Sequence, residues 1–288
     1  MKALVLSGGG SKGAYEVGAL KYLLVDLCNK YDLVAGVSVG ALNAAFLAMF
    51  PVGQEVQAYK ALEDLWNGLD NSKVYKTWFP LSYIETLWKP SVFNSKPLQD
   101  TVHAKLDPKK VLNSGRKLRV GATGLDTGEY KVFDETYPNI QDAVLASSAF
   151  PAMLLPISLE GQLWTDGGVR SITPLKAAIQ AGATEIDVVL CSPAGDKSKA
   201  FTGKTTALAV AARAIDLMCD QIEENDLVVC DLVNQLVAAG KAPDKKFISI
   251  RIVRPDSVLA DNALDFTPSL LQKMQKVGYE DAKRILGG

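Results

Sequence analysis

The pentapeptide Gly36-Val37-Ser38-Val39-Gly40 has the form G-x-S-x-G, and it stands where an apolar β-type run (residues 31–35) gives way to a small-residue helical stretch (residues 41–49). A strand that turns directly into a helix holds its central residue in a strained conformation, with the side chain raised above the sheet edge. Gly36 and Gly40 remove the Cβ atoms that would collide across so sharp a bend. Ser38 is therefore a candidate nucleophile. The amide end of the following helix would favour the negative charge of a tetrahedral intermediate formed there.

A serine hydroxyl is a weak nucleophile until a base takes its proton, and histidine is the usual base. The chain holds one histidine, His103, in a polar-faced segment (residues 98–106) that reads as a surface helix. A carboxylate is then the candidate. Asp166 ends the β-type run 162–165 and is followed by Gly167 and Gly168, which let the backbone pass close beneath a neighbouring turn. The same Asp-Gly-Gly also reads as an ordinary turn. An aspartate with the usual pKa of about 3.9 accepts a serine proton poorly, so a dry site and close approach have to compensate.

The loop Gly8-Gly9-Gly10-Ser11-Lys12-Gly13 follows a short β-type run and precedes Ala14, Val17, Leu20 and Leu24 at helical spacing. Consecutive glycines bare several backbone N–H groups, suited to an oxyanion or a phosphate. Gly8, Gly10 and Gly13 also fit the dinucleotide pattern G-x-G-x-x-G, but that reading wants an acidic residue ending the second strand. Gly36-Val37-Ser38 stands there instead, with Asp32 at the strand's beginning. A phosphate-binding P-loop fails because Ala14 and Tyr15 follow Gly13; Gly203-Lys204-Thr205 comes closer but has Ser198 where the first glycine belongs.

The elements that position these groups alternate. Further β-type runs at 118–122, 130–133, 186–190 and 247–253, with helical patterns between several of them, imply an α/β fold with a mostly parallel central sheet flanked by helices. No linker divides the chain, so residues 1–288 read as a single domain. Within it, residues 71–96 carry Tyr75, Trp78, Phe79, Tyr83, Trp88 and Phe93 among four lysines and read as a cap or insertion. Residues 205–288 read as a helical C-terminal part, in which 205–239 cover one sheet face without suggesting chemistry and 268–286 form a closing helix.

Composition narrows the function classes. With 48% hydrophobic and 22% charged residues in 288, the chain has an ordinary globular composition. Thirty-one basic against 32 acidic residues argue against a protein that wraps nucleic acid. No apolar run reaches membrane-spanning length and the first one is too short for a signal peptide, so a cytoplasmic protein with at most peripheral membrane contact is expected. Cys28, Cys191, Cys219 and Cys230 are dispersed and read as reduced thiols. With one histidine and no calcium-loop pattern, neither a metal nor another cofactor is expected. Oligomeric state is not legible.

Glycine loop, G-x-S-x-G and Asp-Gly-Gly, in that order on α/β elements, resemble the patatin-like phospholipase family over roughly residues 1–190. The resemblance implies a three-layer sandwich in which Ser38 is the nucleophile and Asp166 completes a Ser-Asp dyad without histidine. It further implies that Gly8, Gly9 and Gly10 form the oxyanion hole, with Lys12 at the family's basic position and Gly13 in the supporting loop. Ala146-Ser147-Ser148-Ala149-Phe150-Pro151 is similar to the family's small-residue motif before the aspartate. The implied activity is hydrolysis of fatty acyl esters in phospholipids, lysophospholipids or other lipids. The aromatic residues and lysines of the cap at 71–96 suit either peripheral contact with a lipid interface or lid packing without lipid contact. An acyltransferase or thioesterase using the same residues, or a non-catalytic lipid- or nucleotide-binding protein, is the alternative.

Overall fold

The computed structural model describes residues 1–78, 88–195 and 206–287. Gly203-Lys204-Thr205 and the Phe79 and Tyr83 of the cap lie outside the described residues.

Among the described residues eight strands make one sheet. The path runs β5 (Ile157–Leu159), β6 (Gln162–Asp166), β3 (Lys117–Gly124), β2 (Leu33–Val37), β1 (Lys2–Leu6), β7 (Glu185–Val189) and β8 (Ser249–Val253), with β4 (Tyr130–Asp134) paired to β3 off that path. Strands β3, β2, β1, β7 and β8 are parallel, whereas β4, β5 and β6 form an antiparallel edge. The expected mostly parallel sheet is therefore present.

Both faces are covered, which explains why the central strands read as continuous apolar runs instead of alternating ones. Along β1, Leu4 and Leu6 enter the core beneath α1 (Gly13–Leu20), α2 (Val39–Ala48), α3 (Glu55–Asn67) and α10 (Pro268–Leu286). Ala3 and Val5 point the other way, against α8 (Leu175–Gln180) and α9 (Ala207–Ala238). Helix–sheet–helix is the resulting layering. Shorter helices α4 (Asn71–Val74), α5 (Lys96–Lys105), α6 (Pro108–Asn113) and α7 (Ile140–Ser147) join these layers.

Chain order changes direction at β1, with β2 on one side and β7 on the other. In open α/β sheets that switch opens a crevice beyond the carboxyl ends of the strands. Both the glycine loop after β1 and the serine bend after β2 lie there.

Candidate active site

Ser38 occupies the bend between β2 and α2 with φ 56° and ψ −129°. A non-glycine residue pays about 1–3 kcal/mol for such a backbone and keeps it only where its surroundings over-determine it. The bend has no room for side chains on either shoulder. A Cβ at Gly36 would strike the Gly40 carbonyl, and one at Gly40 would strike the carbonyls of Leu6 and Ser7. Two serines ending α7 hold the strained peptide from the far side. Ser147 Oγ accepts the Ser38 N–H at 3.0 Å, and Ser148 shares its hydroxyl proton between the carbonyls of Ser38 at 3.0 Å and Val144 at 2.9 Å.

Sheet register brings Asp166 to this bend. Val37 at the end of β2 is level with Gly121 of β3, and the next β3 residue, Ala122, is level with Asp166 of β6. From there the chain passes back over β3: a Cβ at Gly167 would meet the Gly121 carbonyl and lie 3.0 Å from Val37 Cγ1. The Asp-Gly-Gly turn is thus folded over the end of the strand that carries Ser38. Asp166 is 3% exposed and Ser38 9%. Asp166 Oδ1 accepts the Gly168 N–H at 2.7 Å, while Oδ2 has no hydrogen-bond partner among the described residues. Burial pushes the Asp166 pKa up to about 7, and the neighbouring Ser38 hydroxyl and the Gly168 amide pull against that rise. A carboxyl of this kind combines two properties a general base needs, a pKa near neutrality and a free oxygen beside the hydroxyl it would deprotonate.

The glycine loop completes the group. A Cβ at Gly8 would lie 3.1 Å from Ser38 Cβ, so the loop and Ser38 are in contact. The Gly8 N–H is already given to the Ile172 carbonyl at 3.2 Å, which narrows the expected three donor amides to those of Gly9 and Gly10. Neither of these has a partner among the described residues. Gly10 has φ 59° and packs its α-carbon against the Ala263 carbonyl, which anchors the loop further through the Ser11 N–H at 2.7 Å. Gly13 opens α1 against Val39 and Trp66. Asp32, which a dinucleotide site would need beside this loop, instead accepts the Lys2 N–H at 3.1 Å where β1 and β2 begin, the opposite edge of the sheet.

These groups open into a cavity of about 670 Å³, a size typical of sites that enclose small organic ligands. Leu42, Trp66, Leu69, Val74, Leu98 and Leu154 give it an apolar lining. Trp66 is fixed by its Nε1–H to Asn43 Oδ1 at 2.8 Å, and Asn43 in turn donates to the buried Glu16 at 2.7 Å. The polar side is built from Lys12 with Arg213, Asp216 and Asp220 of α9. The helix read from sequence as a mere cover thus supplies a wall of the site. Cys219 joins that wall as a thiol pushed up to about 12, first by burial and then by the carboxylates around it. The small-residue motif 146–151 marks Ser147 and Ser148 in the sequence, whereas no motif marks the α9 residues.

His103 pairs its Nε2 with Asp142 at 2.7 Å on the exposed surface between α5 and α7 and does not line the cavity. In the cap, Lys76 and Asn94 form an antiparallel bridge, and Tyr75 and Phe93 pack with ring centroids 4.5 Å apart. Trp78 bonds the Ser91 carbonyl at 3.1 Å with Lys89 over its ring, while Trp88 stands 74% exposed. No helix among the described residues is long and apolar enough to cross a membrane.

Residues 4–179 match the family model described as Patatin-like phospholipase. Uncharacterized protein YjjU of Escherichia coli is 30% identical over 196 residues, covering 66% of this chain and 52% of the relative. Probable lipid hydrolase 463L of Invertebrate iridescent virus 6 is 24% identical over 192 residues, covering 62% of this chain and 63% of the relative. The chain thus spans half to two thirds of the length of these two relatives. Among solved structures, VipD from Legionella pneumophila superposes with a TM-score of 0.47 at 16% identity, covering 99% of this chain and 66% of that one.

Proposed function

The chain belongs to the patatin-like phospholipase family, and from that premise we propose that it is a serine acyl hydrolase cleaving fatty acyl esters of phospholipids or lysophospholipids through a Ser38-Asp166 dyad. The observation that carries this reading is the buried, unpartnered Oδ2 of Asp166 beside the strained Ser38.

In the first half-reaction Ser38 Oγ attacks the ester carbonyl carbon while Asp166 Oδ2 takes the hydroxyl proton. The carbonyl oxygen becomes an oxyanion, held by the N–H groups of Gly9 and Gly10 and favoured by the positive end of α2. Collapse of the intermediate breaks the ester C–O bond, and the departing alkoxide takes the proton from Asp166. The acyl group is left on Ser38. In the second half-reaction Asp166 takes a proton from water, the resulting hydroxide adds to the acyl carbon, and Ser38 departs carrying that proton as the fatty acid is released. A single carboxylate serves both halves, which is why the dyad needs no imidazole. The apolar lining from Leu42 to Leu154 suits an acyl chain, and Lys12 and Arg213 border the polar side where a head group would lie. Trp88 and the lysines of the cap suit a lipid interface.

The test is fatty acid release from mixed phospholipid and lysophospholipid vesicles, read by mass spectrometry, with fluorophosphonate labelling alongside. Wild type is expected to release fatty acid and to be labelled at Ser38, while Ser38→Ala does neither and Asp166→Asn is silent in turnover. Full release by Ser38→Ala would overturn the assignment.

A further inference from the structure

Helix α9 has two faces of opposite character. Its inner face is pinned to the body: Glu223 and Glu224 bond Arg254, Asp226 accepts from the Ser171 hydroxyl at 3.1 Å, and Asn234 exchanges two hydrogen bonds with Ile248. Its outer face is covered by nothing among the described residues and is apolar along nearly its whole length. Met218 is 63% exposed and Val229 60%, with Val210, Leu217, Val228, Leu232 and Leu236 each close to half exposed.

The order of residues on this face is nearly the same read in either direction. About a point level with residue 223, Val210 mirrors Leu236, Ala214 mirrors Leu232, Leu217 mirrors Val229 and Met218 mirrors Val228. The two polar interruptions also mirror each other, Gln221 and Asn225, joined within the helix at 3.0 Å. The steps along the stripe run four, three, four in an eleven-residue repeat, which drifts by only about 20° per repeat across the face of a straight helix.

We propose that α9 pairs antiparallel with α9 of a second copy of this chain, about a two-fold axis level with residue 223. A two-fold contact requires a patch to complement itself, and the mirrored stripe does so, apolar against apolar with the smallest residue, Ala214, opposite Leu232. Gln221 faces the Asn225 position of the other copy on both sides of the axis, a polar pair that fixes register at some expense of affinity. Neither property serves a lipid surface. The stripe is flanked by Glu224 and Asp231 where a membrane-seeking helix carries lysines, so an anionic bilayer is the poorer occupant. The stripe is about 39 Å long and about 10 Å wide, on the order of 400 Å² per copy, about half the share of a standard stable interface. A contact of that size makes a weak, reversible association and not a permanent dimer.

The test is sedimentation equilibrium of the chain between about 1 and 100 μM. Wild type is expected to show a monomer–dimer equilibrium in this range. Met218→Lys and Val228→Glu each bury an unpaired charge and are expected to weaken it at least about 100-fold. The double variant M218K/V228E sets each new lysine opposite a new glutamate of the other copy and is expected to recover most of the loss. Because both positions are exposed, circular dichroism and melting of the variants should match wild type. A wild type that stays monomeric at 100 μM overturns the proposal, as does a dimer indifferent to both single changes. Loss without recovery in the double variant overturns the antiparallel register. A monomer that sediments with phosphatidylcholine–phosphatidylglycerol vesicles through Met218 assigns the stripe to lipid and overturns it too.

Discussion

Replacing Asp166 with asparagine should make the protein inactive and, above neutrality, more stable. Burial moves the Asp166 carboxyl from 3.8 to about 7, roughly three pH units at about 1.4 kcal/mol each, so keeping it ionised in the fold costs on the order of 4 kcal/mol. The sign follows from proton counting. Between about pH 4 and 7 the folded protein holds a proton that the unfolded chain has lost, so this residue's contribution to stability falls across that window and is flat above it. Asparagine has nothing to titrate. Its Oδ1 can still accept the Gly168 N–H, and its extra amide donor adds a penalty that is the same at every pH. The readout is therefore a difference of differences: urea unfolding of wild type and Asp166→Asn at pH 4, 6 and 8. The advantage of the variant should grow by about 4 kcal/mol from pH 4 to pH 8. With an unfolding entropy near 0.6 kcal/mol/K for 288 residues, that corresponds to about 7 °C in Tm at pH 8 relative to pH 4. A gap that stays constant within about 1 kcal/mol across the series would refute the claim that burial sets this pKa.

The same value governs the rate. Because the base acts ionised, kcat/KM on a soluble ester should rise about tenfold per pH unit below pH 7 and level off above it; a profile already flat from pH 5 would exclude Asp166 as the titrating base. Ser147→Ala and Ser148→Ala each remove one bond to the strained Ser38 peptide, worth about 0.5–1.5 kcal/mol, so kcat should fall roughly threefold to tenfold with KM unchanged. An equal rise in KM would instead point to a binding role. Leu42→Trp fills the cavity one helical turn from Ser38, and should lower kcat/KM for long acyl esters by about 10- to 200-fold while sparing acetate esters, measured over a chain-length series.

The candidate site residues are legible because their local context is stereotyped. A glycine on each side of a serine between strand and helix admits few structures, and Ser38 stands as that pattern implies. Asp166 was legible as a candidate through its two glycines, but its meeting with Ser38 depends on the offset between the β2–β3 and β3–β6 registers, and register is a property of pairing that no single strand encodes. The bond that takes up the Gly8 amide is hidden for a related reason: its acceptor, Ile172, lies far away in sequence. In α9, Arg213, Asp216 and Asp220 recur at helical spacing and look like any solvated stripe, whereas the structure turns that stripe inward to the cavity and leaves the apolar one outside. Amphipathicity gives a helix two faces without saying which of them the body will take. Strand β5, at three residues, is shorter than any periodicity can announce.

The order in which the site's parts occur along the chain bears on how the protein is made. The glycine loop comes first, Ser38 second, and Asp166 arrives only with β6, docked through the three pairs Ala122–Asp166, Thr123–Thr165 and Gly124–Trp164. At about 5–20 residues per second of synthesis, the 128 positions from Ser38 to Asp166 (166 − 38) take roughly 6–25 seconds to emerge. Throughout that interval the nascent chain can form the serine bend without a base to activate it. In the proposed dyad a half-made or truncated molecule is therefore inert towards the membranes around the ribosome, and hydrolytic competence is gained only when the antiparallel edge of the sheet has closed.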